Sequence, residues 1–294
     1  MQDPRHEAPL ADELIDLTSR RRILSAPPPP LPAFTRIIAM SNQKGGVGKT
    51  TTTVNMAAAL ARFGARVLVI DLDPQGNATT ALGFNHHEQP VGMFQVLTGE
   101  QPLSAIVRKS PEPGELFCAI STLDLAGAEM AIATEKDSRF RLHQALAEHL
   151  ASPGGSYHYI FIDCPPSLGL LTVNAMVAAH EIFVPIQCEY YALEGLTQLR
   201  QTVDQVNQVL NPRLHISTML LTMFDSRTRL AQDVVDDVRT HFPDIVLNSI
   251  IPRTVRVAEA PSHLQSVISY DTNSPGSISY LEAAYEFASR KSHM

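Results

Sequence analysis

Two lysines stand at either end of a glycine-rich stretch in SNQKGGVGKTTTT, residues 41–53. Glycines at 45, 46 and 48 let the backbone wrap closely, so that successive N–H groups turn inward toward phosphate oxygens. Lys49 occupies the position from which an ammonium reaches the β- and γ-phosphates of a nucleoside triphosphate, and the Thr50 hydroxyl is placed to bind Mg²⁺. Gly45, Gly46, Val47, Gly48, Lys49, Thr50 and Thr51 are therefore expected to line the phosphates. The strict G-x-x-x-x-G-K-[ST] pattern fails at its first position, which is Gln43, and it gives Lys44 no task.

Two further segments supply carboxylates. In DLDPQGN, residues 71–77, Asp71 and Asp73 lie two apart, which puts them on one side of an extended chain. Asp73, just before Pro74, is placed to orient a water against a γ-phosphate, and it is also a possible metal contact. In YIFIDCPPS, residues 159–167, Asp163 ends an apolar run and should hold Mg²⁺ through water. Either aspartate could instead cap a following helix.

These residues need a scaffold that delivers them to one edge. The apolar runs 36–40, 66–72, 116–121, 159–163, 181–186, 215–223 and 244–251 read as strands buried on both faces. Helical patterns near 50–63, 137–150, 168–179, 191–209, 228–240 and 277–290 lie between and after them. The expected architecture is α/β: a doubly wound, mostly parallel sheet with helices on both faces. A carboxylate at the carboxyl end of such a strand faces the ligand crevice. Strand, glycine loop and helix follow one another at 36–63, the context a phosphate-binding loop requires.

The 294 residues carry a formal net charge of −7, so global charge argues for no polyanion and any such interaction must use a local basic patch. The three cysteines form no metal-spaced cluster and read as reduced thiols of a cytoplasmic protein. No apolar run reaches a membrane-spanning length, and the chain starts without a signal peptide. Residues 1–33 read as a flexible tail with a polyproline linker, APPPPLPAF at 26–34, ahead of one domain over 34–294. SRRRIL, residues 19–24, could be a DNA-binding arm or part of a partner-responsive segment.

With KGGVGKTT, DLDPQGN and DCPPS in this order, the chain resembles the ParA/Soj partitioning ATPases, a deviant Walker A group related to MinD. VPIQCEYYALEGL at 184–196, MFDSRTRLAQDVVDDV at 223–238 and IPRTVRVAEAPSHLQSV at 251–267 continue the likeness, which spans roughly residues 36–290. The resemblance implies a role for Lys44: it reaches across an ATP-bound homodimer to the partner subunit's phosphates, and acts there with Lys49 and Asp73 as catalytic machinery. It places Pro252 and Arg253 beside the adenine, and Arg227 and Arg256 on DNA. It also implies a cycle. ATP and Mg²⁺ drive dimerisation, and the dimer binds double-stranded DNA without sequence preference. A ParB-like centromere-binding protein then stimulates slow hydrolysis, and the ADP form leaves. The implied location is cytoplasmic and nucleoid-associated, without a membrane partner.

Two alternatives share the loop. A nucleoid-bound ATPase that positions a protein cargo would use the same switch. A MinD-like membrane ATPase needs a basic, apolar C-terminal helix, whereas SYLEAAYEFASRKSHM at 279–294 is acidic as well as basic and reads as a packed last helix. Asp225 and Glu259 stand near enough to pair with Arg227 and Arg256, and DTNSPGSI at 271–278 lacks the positive charge relatives carry there. A missing cation at a phosphate weakens DNA binding unless the charge is supplied elsewhere.

Overall fold

The computed structural model describes residues 17–189 and 194–290. The first sixteen residues of the expected tail, the start of the helix expected at 191, and residues 291–294 lie outside the described residues.

Among the described residues eight strands form one sheet: β1 Arg36–Met40, β2 Arg66–Asp71, β3 Val107–Lys109, β4 Glu115–Ala119, β5 Tyr159–Asp163, β6 Glu181–Gln187, β7 His215–Phe224 and β8 Val246–Pro252. Their order is β3-β4-β2-β5-β1-β6-β7-β8. Every pairing is parallel except β3 with β4. All residues of β1 and β5 are buried, as continuous apolar strands in the middle of a two-sided sheet require.

The helices are α1 Lys49–Arg62, α2 Asn77–Ala81, α3 Met93–Leu97, α4 Ala128–Ile132, α5 Arg141–Ala151, α6 Leu170–Ala178, α7 Glu194–Val209, α8 Arg229–His241, α9 Val255–Glu259, α10 Val267–Tyr270 and α11 Pro275–Ser289. Helices α1 and α11 pack on each other, and α5, α6 and α7 form a second packed row. Right-handed crossovers put such rows on opposite faces. The Phe287 ring of α11 meets Tyr159, Phe161 and Phe183, at centroid distances of 6.0, 6.2 and 5.6 Å. Tyr159 and Phe161 are two apart on β5 and so share a face. At the amino end of the sheet Arg36 makes two bonds to Glu181, at 2.8 and 2.7 Å, and its guanidinium lies 4.0 Å from the Phe287 centroid.

The seven expected strands are present with ends moved by at most two residues. The helix expected from 137 starts at Arg141, because Phe140 N–H bonds the Asp137 carbonyl in a turn first. The three residues of β3 add a strand that the apolar runs do not announce. They form an edge with no buried residue, so they leave no apolar signal. The short helices α2, α3, α4, α9 and α10 are silent in the sequence for a similar reason: five residues or fewer carry too little periodicity.

Residues 17–25 lie against α11. Arg20 bonds Glu282 and Ser279 there, and Ile23 and Leu24 pack on the core.

Candidate phosphate-binding site

Strand β1 runs into the loop 41–48, and α1 leaves it. Both flanks of the loop are fixed by neighbouring strands. Ser41 N–H donates to the Phe183 carbonyl at 3.1 Å, and Asn42 Nδ2 to the Pro185 carbonyl at 2.8 Å. On the far side the Thr222 hydroxyl donates to the Val47 carbonyl at 2.9 Å. Gly46 and Gly48 have φ of 76° and 87°, which side chains seldom tolerate, and Gly48 is the N-cap of α1. A Cβ added at Gly45 or Gly46 would meet no protein atom within 4 Å, so no other part of the chain crowds the loop there.

Lys49 is buried, and its ammonium donates to the Lys44 carbonyl at 3.3 Å. Burial lowers its pKa below the ordinary value, against the opposing pull of the Asp163 and Asp73 carboxylates. A buried cation in the first turn of a helix that leaves a glycine loop fits a phosphate chain.

Strands β5 and β2 pair in register with Asp163 opposite Asp71. Asp163 accepts Thr50 Oγ1 at 2.7 Å and Thr53 Oγ1 at 2.8 Å. Burial pushes its pKa up to about 6, although both hydroxyls favour the charged form. Burial also raises Asp71, helped by repulsion from Asp163, to about 7. Asp71 accepts Thr79 N–H and Thr79 Oγ1, both at 2.7 Å, and Asp73 N–H at 3.1 Å, so it ties down α2. Asp73 lies beyond the strand end and is 8% exposed; its Oδ1 accepts Gln75 N–H at 3.0 Å and Ser121 holds its carbonyl at 2.8 Å. Hydroxyl and carboxylate oxygens at Thr50, Asp163 and Asp73 are the hard donors that suit Mg²⁺.

A cavity of about 270 Å³ continues from the loop, lined by Gly48, Thr51, Met223, Pro252, Arg253 and Val257 among others. Pro252 ends β8, and Thr254 caps α9 by accepting Val257 N–H at 3.4 Å. The strand β7 reaches this cavity through Met223, whose φ of 54° is strained for a non-glycine residue.

Lys44 points elsewhere. Its ammonium lies 3.2 Å from Glu189 Oε2, while Arg253 approaches the other oxygen of Glu189 at 3.6 Å. Gln187 Nε2 also donates to Glu189, at 2.6 Å. Glu189 lies inside VPIQCEYYALEGL, where neither its type nor its spacing marks it as a partner of Lys44, so it escapes a reading of the sequence. Asn42, Thr53, Thr222 and Met223 escape it likewise. Only Thr53, one helical turn beyond Lys49, has a spacing that could have given it away.

Arg227 and Arg256 lie outside the crevice. Arg227 pairs with Asp225 at 2.6 Å, its side chain 85% exposed. Arg256 pairs with Glu259 at 3.2 Å and Asp271 at 3.4 Å. The local pairing with Asp225 and Glu259 is therefore present in the monomer. Exposed pairs of this kind contribute little and exchange readily for another anion.

The fold, the glycine loop on the helix N-terminus and the aspartates at the carboxyl edge define a P-loop nucleotide-binding site with a second lysine in its loop. A protein-family model described as an AAA domain matches residues 35–216. The chain is 48% identical over 256 residues to the chromosome partitioning protein ParA of Caulobacter vibrioides, covering 87% of this chain and 95% of that one. It is 46% identical to the sporulation initiation inhibitor protein Soj of Bacillus subtilis, over 86% of this chain and 98% of that one. Among solved structures, cobyrinic acid a,c-diamide synthase from Mycobacterium smegmatis with bound ADP and magnesium superposes with a TM-score of 0.73 at 39% identity, covering 85% of this chain and 93% of that one. The chain belongs to the ParA/Soj family of chromosome-partitioning ATPases.

Proposed function

We propose that this protein is an ATP-driven DNA-segregation switch that works as a homodimer. The observation that carries the reading is the division of labour between the loop lysines. Lys49 is buried beneath the phosphate cradle, whereas the Lys44 ammonium is partly exposed and held outside it by Glu189. One lysine serves the chain's own phosphates, and the other can exchange its exposed acid for the phosphates of a second subunit.

ATP is the substrate. The N–H groups of Gly45 to Thr51 and the Lys49 ammonium hold its phosphates, and Pro252 and Arg253 flank the adenine in the adjoining cavity. Thr50 and Asp163, the latter through water, would hold Mg²⁺, with Asp73 as a possible further ligand. Mg²⁺, when bound there, would supply charge that offsets the phosphates. The crystal structure of the Mycobacterium smegmatis relative with ADP and magnesium supports both ligands. Asp73 orients the attacking water and accepts its proton. Lys44 of one subunit meets the γ-phosphate of the other, as an arginine finger does, and offsets charge that builds up in transfer. Because that anion is absent without nucleotide, the pairing couples dimerisation to ATP.

In the dimer Arg227 and Arg256 exchange their local acids for phosphates of double-stranded DNA, which they bind without reading sequence. Two subunits double the basic area, so a net-acidic monomer binds DNA only when paired. A ParB-like partner stimulates hydrolysis, and the ADP-bound monomer leaves. The protein acts in the cytoplasm on the nucleoid.

The test is binding to a random-sequence duplex with ATP, with ADP and without nucleotide, over a salt series, for wild type and Lys44→Ala. Salt-sensitive binding with ATP alone, abolished in the variant, is expected. Equal binding in all three nucleotide states would sink the switch.

A further inference from the structure

Three consecutive arginines, Arg20 to Arg22, lie in the segment that packs against α11. Arg20 is an anchor. Its Nε is 3.1 Å from both carboxylate oxygens of Glu282, and a terminal nitrogen donates to Ser279 Oγ at 2.8 Å. Beyond the third arginine, Ile23 and Leu24 are half-buried against the core. The turn is thus pinned on both sides of Arg21 and Arg22, which are exposed.

The place where they are pinned matters. Arg21 reaches the carbonyl oxygen of Asn273 at 3.5 Å. Arg256 bonds the same loop from its other end, 3.4 Å from Asp271 and 3.5 Å from the Tyr270 hydroxyl. Asp271 and Asn273 are two residues apart, so their Cα atoms are within about 7 Å. Guanidinium groups from opposite ends of the chain therefore flank one short turn. This is the segment that the sequence leaves without a positive charge. Among the described residues no carboxylate is paired with Arg21 or Arg22, whereas Arg256 is shared by two. In a chain of net charge −7 this is a local surplus of positive charge beside an exposed arginine.

We propose that Arg21 and Arg22 extend the surface around Arg256 into a phosphate-binding edge for double-stranded DNA, with Arg20 fixing the arm to the last helix. The proposal rests on the DNA-binding reading above. A duplex fits better than an anionic membrane, because the apolar side chains of the arm, Ile23 and Leu24, already pack against the core and offer no free apolar face to a lipid surface. Pre-ordering by Arg20 also spares the arm part of the entropy that a free tail loses on binding.

The experiment uses the full chain with ATP on a random-sequence duplex across a salt series. It compares wild type, Arg21→Ala/Arg22→Ala and Arg21→Lys/Arg22→Lys, with anionic vesicles as a parallel ligand. Nucleotide binding by each variant, measured alongside, separates misfolding from a specific effect on DNA. The alanine pair is expected to weaken DNA binding at least tenfold. It should flatten the salt dependence by about 0.9 in log–log slope for each phosphate no longer neutralised, and the lysine pair should restore most of that slope. An unchanged slope, with wild type binding DNA, would overturn the arm and leave the switch standing. Vesicle binding that the alanine pair abolishes, with DNA binding intact, would overturn it in favour of a lipid surface. Wild type that binds no DNA in any nucleotide state would remove the underlying reading, and the arm with it.

Discussion

The Lys44 ammonium lies 3.2 Å from the Glu189 carboxylate, and that carboxylate also draws Arg253 to 3.6 Å. One acid thus joins the front of the phosphate loop to the far side of the adjoining cavity. Lys49, five residues along the same loop, turns inward and bonds the Lys44 carbonyl. The two lysines of one loop have different surroundings, and this separates their expected phenotypes.

Lys49→Ala is expected to weaken nucleotide binding at least tenfold, by titration with a fluorescent ATP analogue, because it removes the cation under the cradle. Lys44→Ala should bind the same analogue within about threefold of wild type, as removing a partly exposed pair costs little. It should nevertheless stay monomeric with ATP by light scattering. A Lys44→Ala protein that dimerises normally would refute the trans role.

Asp73 is buried, near Lys49 and Asp163, and its carboxylate accepts Gln75 N–H in the turn before α2 without capping that helix. Asp73→Ala should therefore bind ATP and dimerise, with kcat reduced about a hundredfold, the usual scale for removing a positioned general base. Asp163→Asn should instead weaken Mg²⁺-dependent nucleotide binding, visible as a raised Mg²⁺ midpoint. Equal effects of the two changes on binding would show that the roles are assigned wrongly.

Arg227 is exposed and pairs with Asp225. Replacing it by alanine should reduce the salt slope of DNA binding by about one unit for the phosphate it neutralises, without changing ATP affinity. Arg256→Ala should do the same. A slope equal to wild type in both variants would move the DNA surface elsewhere.

Glu286 on α11 accepts the N–H groups of Asn248 and Ser249, at 2.9 and 3.1 Å, and pairs with Arg290 at 2.8 Å. Burial alone would raise its pKa, but those bonds outweigh burial and hold it below the ordinary glutamate value. Glu181, bonded to the Arg36 guanidinium, is lowered against burial in the same way. Folded values below unfolded ones give stability that is present above the unfolded glutamate pKa of about 4.3 and is lost as pH falls through the folded value. Glu286→Gln should cost about 1–2 kcal/mol at neutral pH and flatten the acid limb of a urea-melt series. Arg36→Ala should cost about 3–5 kcal/mol, since it strands a buried carboxylate. If acid stability is identical in wild type and Glu286→Gln, the carboxylate does not anchor β8 to the last helix.

The strand–loop–helix unit around Lys49 is legible in residues 36–63 alone, because glycines, cation, hydroxyl and helix are contiguous. So are the apolar strands, whose burial on both faces leaves runs that are apolar at successive positions, such as Ile37–Met40 and Tyr159–Ile162. For that reason the position of Asp163 at a strand end can be read from its neighbours. What contiguity cannot reveal is which distant side chain completes a pair. Asp71 and Asp73 look alike in sequence, yet the fold gives one to Thr79 and leaves the other at the crevice. Glu189 meets Lys44 across 145 residues, and Arg20 meets Glu282 across 262. Local order is set by backbone sterics and side-chain periodicity, which act over a few residues and are written in the chain. Partnership between charges depends on where crossovers deliver them, and that was decided only when the sheet closed its strand order.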